Sequence, residues 1–255
     1  MGVEIGISVP LPLEPRVKTL IAPRRHVCLG PMLVVGDLYT RREVLEEWLA
    51  RRGRPVVALM PFRLVEYVGR GGGRRALIDE AVFALKDPEN LAFTVRNDLL
   101  KKGLREASHW EGVVVEGSDR SAGEMLGLYI DMVSRLREEL EELYPLKLKH
   151  TRMTARSILS QMFFGGRRDT GLEEAAARAT LLEFVLKLMR DELGIWDRVE
   201  ALPGDRRVYV PVALLEGPVF YELVDKPRRS KIFNILYRRD EGYRRWITEK
   251  IGVYR

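Results

Sequence analysis

One cysteine, Cys28, stands in a chain of 255 residues, so no disulfide can form within it. A chain without disulfides suits a reducing compartment, and the expected location is the cytoplasm. No apolar run is both long enough and free enough of charge to span a bilayer. The opening MGVEIGISVPLPLEP has no basic segment leading into an apolar core, so no secretory signal is read there. Histidine is scarce as well. His26, His109 and His150 are dispersed without ligand spacing, and neither zinc nor haem is expected.

Side-chain amides are nearly missing: three asparagines and one glutamine, against 33 arginines and 10 lysines. Few heat-labile residues, 13 prolines and 31% charged residues fit a protein adapted to heat. No internal repeat and no low-complexity tract interrupts the chain. With 46% hydrophobic residues it can bury a sizeable core.

The net charge is +6, and its placement matters more than its size. The last thirty residues hold ten cations: Lys226, Arg228, Arg229, Lys231, Arg238, Arg239, Arg244, Arg245, Lys250 and Arg255. Only Asp240, Glu241 and Glu249 oppose them, a net of +7, so the rest of the chain together carries −1.

In MLVVGDLYTRREVLEEWLARRGRPVVALM (32–60), an apolar run ends at Gly36-Asp37. Thr40 and Glu43 then form a capping box. The spacing of Val44, Leu45, Trp48 and Leu49 predicts a helix over 41–52, and VVALM a second strand. Such a β-α-β unit ordinarily builds a parallel sheet. Residues 65–68 read as an edge strand, 74–86 and 88–107 as helices, and 113–116 as a central strand. Beyond Ser121 and Glu124, another capping box, one helix is predicted up to Pro145 and a shorter one over 152–163. Thr170 and Glu173 open a further helix that Gly194 closes. Residues 206–224 read as a β-hairpin around Glu216-Gly217-Pro218, and a helix is expected over 230–238. The expected class is α/β: a Rossmann-like, mostly parallel sheet over 1–118, then over 119–255 a helical region, the hairpin and a basic segment.

Two groups carry possible chemistry. VVVEGSDRSAGE (113–124) joins a strand, a small-residue loop and a helix N-terminus, the parts of a phosphate cradle. Locally EGSDRSAGEM is similar to the EGxDRxGKST loop of thymidylate kinases, but Glu124 stands where the lysine belongs. VVVEG resembles the glutamate strand of toprim domains, with no DxD pair downstream. Neither resemblance carries a function over, and the capping box explains the loop without a ligand. The second group is acidic: Asp37 ends one strand, Glu116 and Asp119 another. If those strands are neighbours, three carboxylates converge beyond the sheet, a site suited to Mg²⁺ or Mn²⁺ and to phosphodiester hydrolysis.

The basic segment KPRRSKIFNILYRRDEGYRRWITEKIGVYR interleaves its cations with Phe233, Tyr237, Tyr243, Trp246 and Tyr254. Cations for phosphates and rings for unstacked bases are what nucleic acid asks for. The alternative is a terminal helix that docks its rings into the core. Arg70, Arg74 and Arg75, around three glycines, offer a second basic loop. A winged-helix reading of 121–224 meets a helix over 172–193 with five acids against three bases, which phosphates would repel. The leading expectation is a DNA- or RNA-binding protein, extended to a metal-dependent nuclease if Asp37, Glu116 and Asp119 meet. Two alternatives stand beside it: a nucleotide- or phosphate-binding enzyme on a Rossmann-like sheet, and a non-catalytic subunit of a larger assembly or homo-oligomer. No membrane partner is expected.

Overall fold

The computed structural model of the chain describes residues 26–28, 31–38, 42–52, 55–69, 72–107, 110–161, 170–194, 200–204 and 206–251. Two long strands form the middle of its one large sheet, β3 (Val56–Gly69) and β8 (Arg206–Leu215), antiparallel from Val56↔Leu214 to Leu64↔Arg206. Both are apolar on both faces, as strands covered front and back must be. Val56, Ala58, Met60, Phe62 and Leu64 of β3 join Val208, Val210, Val212 and Leu214 of β8 in one cluster. The alternate residues Leu59, Val65 and Tyr67 belong to clusters on the opposite face.

Each central strand changes its outer neighbour halfway. On β3, β6 (Trp110–Val114) pairs at Ala58 and Leu59, and β4 (Gly72–Asp79) takes over from Phe62. On β8, β2 (Met32–Val35) pairs at Val208 and Tyr209, and β9 (Val219–Leu223) takes over from Val212. Pro61 and Pro211 stand at these two change-overs. A proline cannot donate to a ladder, and here the outer ladder is interrupted in any case. Shorter strands extend the sheet: β1 (His26–Cys28) beside β6, β5 (Leu104–Ala107) beside β2, β7 (Glu200–Ala201) beside the end of β3, and β10 (Pro227–Arg229) beside β9.

Helices cover both faces. On one, α5 (Lys231–Arg239) and α6 (Glu241–Ile251) place Phe233, Leu236, Tyr237, Tyr243, Ile247 and Ile251 against the central strands. On the other, α1 (Arg42–Ala50) sets Leu45 and Trp48 near Ala213 and Leu223. The long helices α3 (Ala122–Gln161) and α4 (Thr170–Leu193) pack around Val65, Tyr67, Ala76 and Ile78. Two 3₁₀ turns, Glu80–Ala84 and Pro88–Thr94, and the single-turn α2 (Asn97–Leu100) link β4 to β5.

The α/β class holds, but the sheet is mixed, not Rossmann-like and mostly parallel. Seven of its nine strand pairings are antiparallel. The reason lies in one insertion: β8, arriving from residue 206, sits between β2 and β3. The β2-α1-β3 unit therefore ends with its two strands antiparallel and apart. The sheet takes strands from both sides of residue 118.

Other local readings also change. Residues 65–68 are flanked on both sides and form no edge. Residues 74–79 form a strand because β3 pairs with them, a 3₁₀ turn follows at 80–84, and the second expected helix is replaced by a 3₁₀ turn, the short α2 and β5. The helix after Ser121 does not stop at Pro145. It runs through because Leu143 and Lys147 on either side stay in contact with α4, the latter through Glu183. The helix of 170–193, its stop at Gly194 (φ +60°), the hairpin of 206–224 and the helix near 230–238 all form as expected. Thr40 lies outside the described residues.

Candidate nucleic-acid interface

The chain after β9 is held down residue by residue. Ser230 caps α5, its Oγ accepting from Phe233 N at 3.2 Å while donating to Glu222 Oε1 at 2.6 Å. Asn234 reaches back to β9, where its Oδ1 accepts from Phe220 N (3.1 Å) and its Nδ2 donates to Phe220 O (3.0 Å). Between α5 and α6, fully buried Asp240 gathers donors from two parts of the chain. Tyr243 N (2.8 Å), Asp87 N (3.0 Å), Asn90 Nδ2 (3.1 Å) and Lys86 N all point at its carboxylate.

These anchors decide where the rings go. Phe233 lies edge-on to Phe62, 6.1 Å away, and stacks on Phe220 at 5.9 Å. Tyr237 packs on Phe220 at 5.4 Å, and Tyr243 is sealed in the interior. Trp246 is half-buried and tilted against Tyr243 at 6.4 Å. The expectation that these rings offer stacking faces to bases is therefore corrected. Two short helices on a sheet need large apolar anchors, and the rings are those anchors. Tyr254 lies outside the described residues.

The cations go the other way. Lys226, Arg228, Arg229, Lys231, Arg238, Arg239, Arg244, Arg245 and Lys250 are all exposed. The carboxylates nearest in sequence are mostly engaged elsewhere. Glu222 holds the buried Arg96 (2.9 Å) as well as Ser230, and Asp225 holds Lys102 at 2.6 Å. Asp240 is inside, and Glu241 is shared between Lys86 (3.1 Å) and Arg245 (2.8 Å). Lys250 reaches Glu116 at 3.3 Å. Among the described residues, Arg228, Arg229, Lys231, Arg238 and Arg244 enter no ion pair.

The second basic loop is remote from this surface. Arg74 and Arg75 sit on β4 at the far end of β3, where Arg75 pairs with Glu66 at 2.9 Å and Arg74 packs against Gly194. The strands β9 and β10 attach beside the opposite end of β3, through β8. Arg70 lies outside the described residues.

The structure does not bring the three candidate metal ligands together. Asp37 follows β2 and Glu116 follows β6, but β8 and β3 lie between those strands, and β2 and β6 run in opposite directions. Their C-terminal ends thus open toward opposite sides of the sheet. Glu116 faces Lys250, and Asp119 is exposed on the loop before α3. Among the described residues no three His, Cys, Asp or Glu side chains are grouped to hold a metal ion.

The loop of 115–121 is closed by its own side chains. Glu124 Oε2 accepts from Ser121 N (2.7 Å) and Ser121 Oγ (2.9 Å), and Ser121 Oγ accepts from Glu124 N at 3.3 Å. This is the capping box read from sequence, and it occupies donors a phosphate would use. Beneath the loop lies a cluster the sequence did not reveal. Arg63 and Arg207 are direct partners across the β3–β8 ladder, and like charges so placed repel. Glu80, wholly buried, sits between them, its Oε1 3.1 Å from Arg63 Nε and 3.0 Å from Arg207 Nε. Both guanidiniums also donate to Ser118 O, at 2.9 and 2.8 Å. The signal available beforehand was an arginine inside the apolar run PFRLV.

Among the described residues no helix is long and apolar enough to cross a membrane. Compared with known protein families, with curated proteins and with solved structures, the chain finds no match.

Proposed function

We propose that this protein binds nucleic acid through the outward cations of residues 226–245. The observation that carries this reading is the division of labour in that segment. Its rings and Asp240 are turned inward, so an ordered scaffold presents guanidiniums most of whose neighbouring acids are already engaged. A polyanion meeting such a surface gains by displacing counterions, and its affinity depends steeply on salt. With the rings inside, the contact is to phosphates, which position a polymer without reading its sequence.

The test is an oligonucleotide titration by fluorescence anisotropy at several salt concentrations. A combined Arg238→Ala, Arg239→Ala, Arg244→Ala variant is compared with the unaltered chain. Affinity should fall with salt, and each phosphate contact removed should flatten the log–log slope by roughly 0.9 for a duplex. Salt-insensitive binding, or a slope the variant leaves untouched, would refute the proposal.

A further inference from the structure

We infer that the polymer held by this surface is double-stranded, gripped by its phosphates with no base stacked or inserted. This rests on the binding reading above. Proteins that take single strands compensate the cost of ordering a floppy chain by stacking bases on exposed rings, at about 1–3 kcal/mol per base. Here Phe233, Tyr237 and Tyr243 are buried, the most exposed of them at 7%, and Trp246 has one side against the core. Tyr221 and Trp48 pack on each other, and Arg52 lies over both rings. The exposed rings Tyr144 and Phe184 lie on α3 and α4, across the sheet from α5 and α6 and beside Glu141, Glu142 and Glu183. No strand could stack there while touching the cations.

The backbone that carries the cations is ordered before any partner arrives. Lys231 and Arg238 stand seven residues apart on one helix, roughly 10 Å along its axis. Arg244 and Arg245 follow on the next helix, which Asp240 fixes to the loop of 86–90. Arg228 and Arg229 lie on an edge strand that is paired on one side with β9. An array fixed before binding costs little to order against a partner whose charges are also fixed. A duplex is such a partner; a single strand is not.

The experiment titrates the full chain with a duplex DNA, a duplex RNA and the separate strands of each, at about 50 to 200 mM salt. Expected is at least one duplex bound about tenfold or more tightly than its own strands, with a steeper salt slope and no preference among unrelated duplex sequences. Single strands bound as tightly as their duplexes, or more so, overturn this inference and leave the binding reading standing. Absence of salt-sensitive binding to every oligomer overturns both.

Discussion

Tyr243 of α6 donates its hydroxyl hydrogen to Asp79 Oδ2 at 2.8 Å, joining residues 164 positions apart in the chain. Asp79 Oδ1 meanwhile accepts from Ala81 N at 2.9 Å and so caps the turn after β4. One buried carboxyl thereby ties the helix beneath the basic surface to the end of β4.

That carboxyl should make stability depend on pH. Burial pushes Asp79 up to about 7, against the lowering effects of Ala81 N–H, the Tyr243 hydroxyl and Arg96. The folded state then holds a proton that the unfolded chain releases near pH 4, so stability is greatest below that point and falls as pH rises through about 7. The loss is on the order of 4 kcal/mol across the window. Urea unfolding of the unaltered chain and Asp79→Asn, compared between about pH 4 and 8, isolates the contribution. Parallel pH profiles for the two proteins would rule it out.

Glu80 is expected to be the most sensitive charge in the fold. Glu80→Gln leaves Arg63 and Arg207 facing each other across the ladder with no buried anion between them, at a cost of about 3–5 kcal/mol. Gly117→Ala should act through the same cluster, because a Cβ there would fall 1.7 Å from Glu80 Oε2. Thermal unfolding should drop by roughly 10 °C in each case. A drop below about 2 °C would mean that the cluster tolerates rearrangement.

At the helix corner, Asp240→Ala removes the cap of α6 and strands the amides of Lys86 and Asp87. About 3 kcal/mol should be lost. Gly242→Ala should loosen the same contact, since its Cβ would stand 1.8 Å from the backbone oxygen of Ala84. Hydrogen exchange in α6 should accelerate in both variants. Unchanged protection there would contradict the anchoring role.

A chain ending at Asp225 should not fold. It lacks Phe233, Leu236, Tyr237, Tyr243, Ile247 and Ile251, all buried among the central strands. Circular dichroism and dye binding should report a collapsed state without fixed packing. Retention of a cooperative transition would show the tail to be dispensable. Binding by the tail is for this reason a question for point substitutions.

Part of this protein is written locally. Ser121 and Glu124 close the start of α3, Gly194 ends α4, and Glu216-Gly217-Pro218 turns the hairpin, each through partners a few positions away. The charge of the last thirty residues is equally a property of the chain alone. Local sequence misled where a distant partner overrode it. Residues 74–79 are helix-like in composition but pair with β3, and Pro145 sits inside a helix that α4 supports on both sides.

Strand order, and everything that hangs on it, came only with the folded chain. The arrival of β8 between β2 and β3 turned an expected parallel sheet into a mixed one and parted Asp37 from Glu116. It also set Arg207 opposite Arg63 above Glu80. The alternation of rings and cations after Lys226 is visible in the sequence, but which set faces water depended on a core that β3, more than a hundred residues away, completes with β8 and β9. Capping and turn geometry are decided by atoms within a few bonds of backbone; burial is decided by whatever the rest of the chain packs against them.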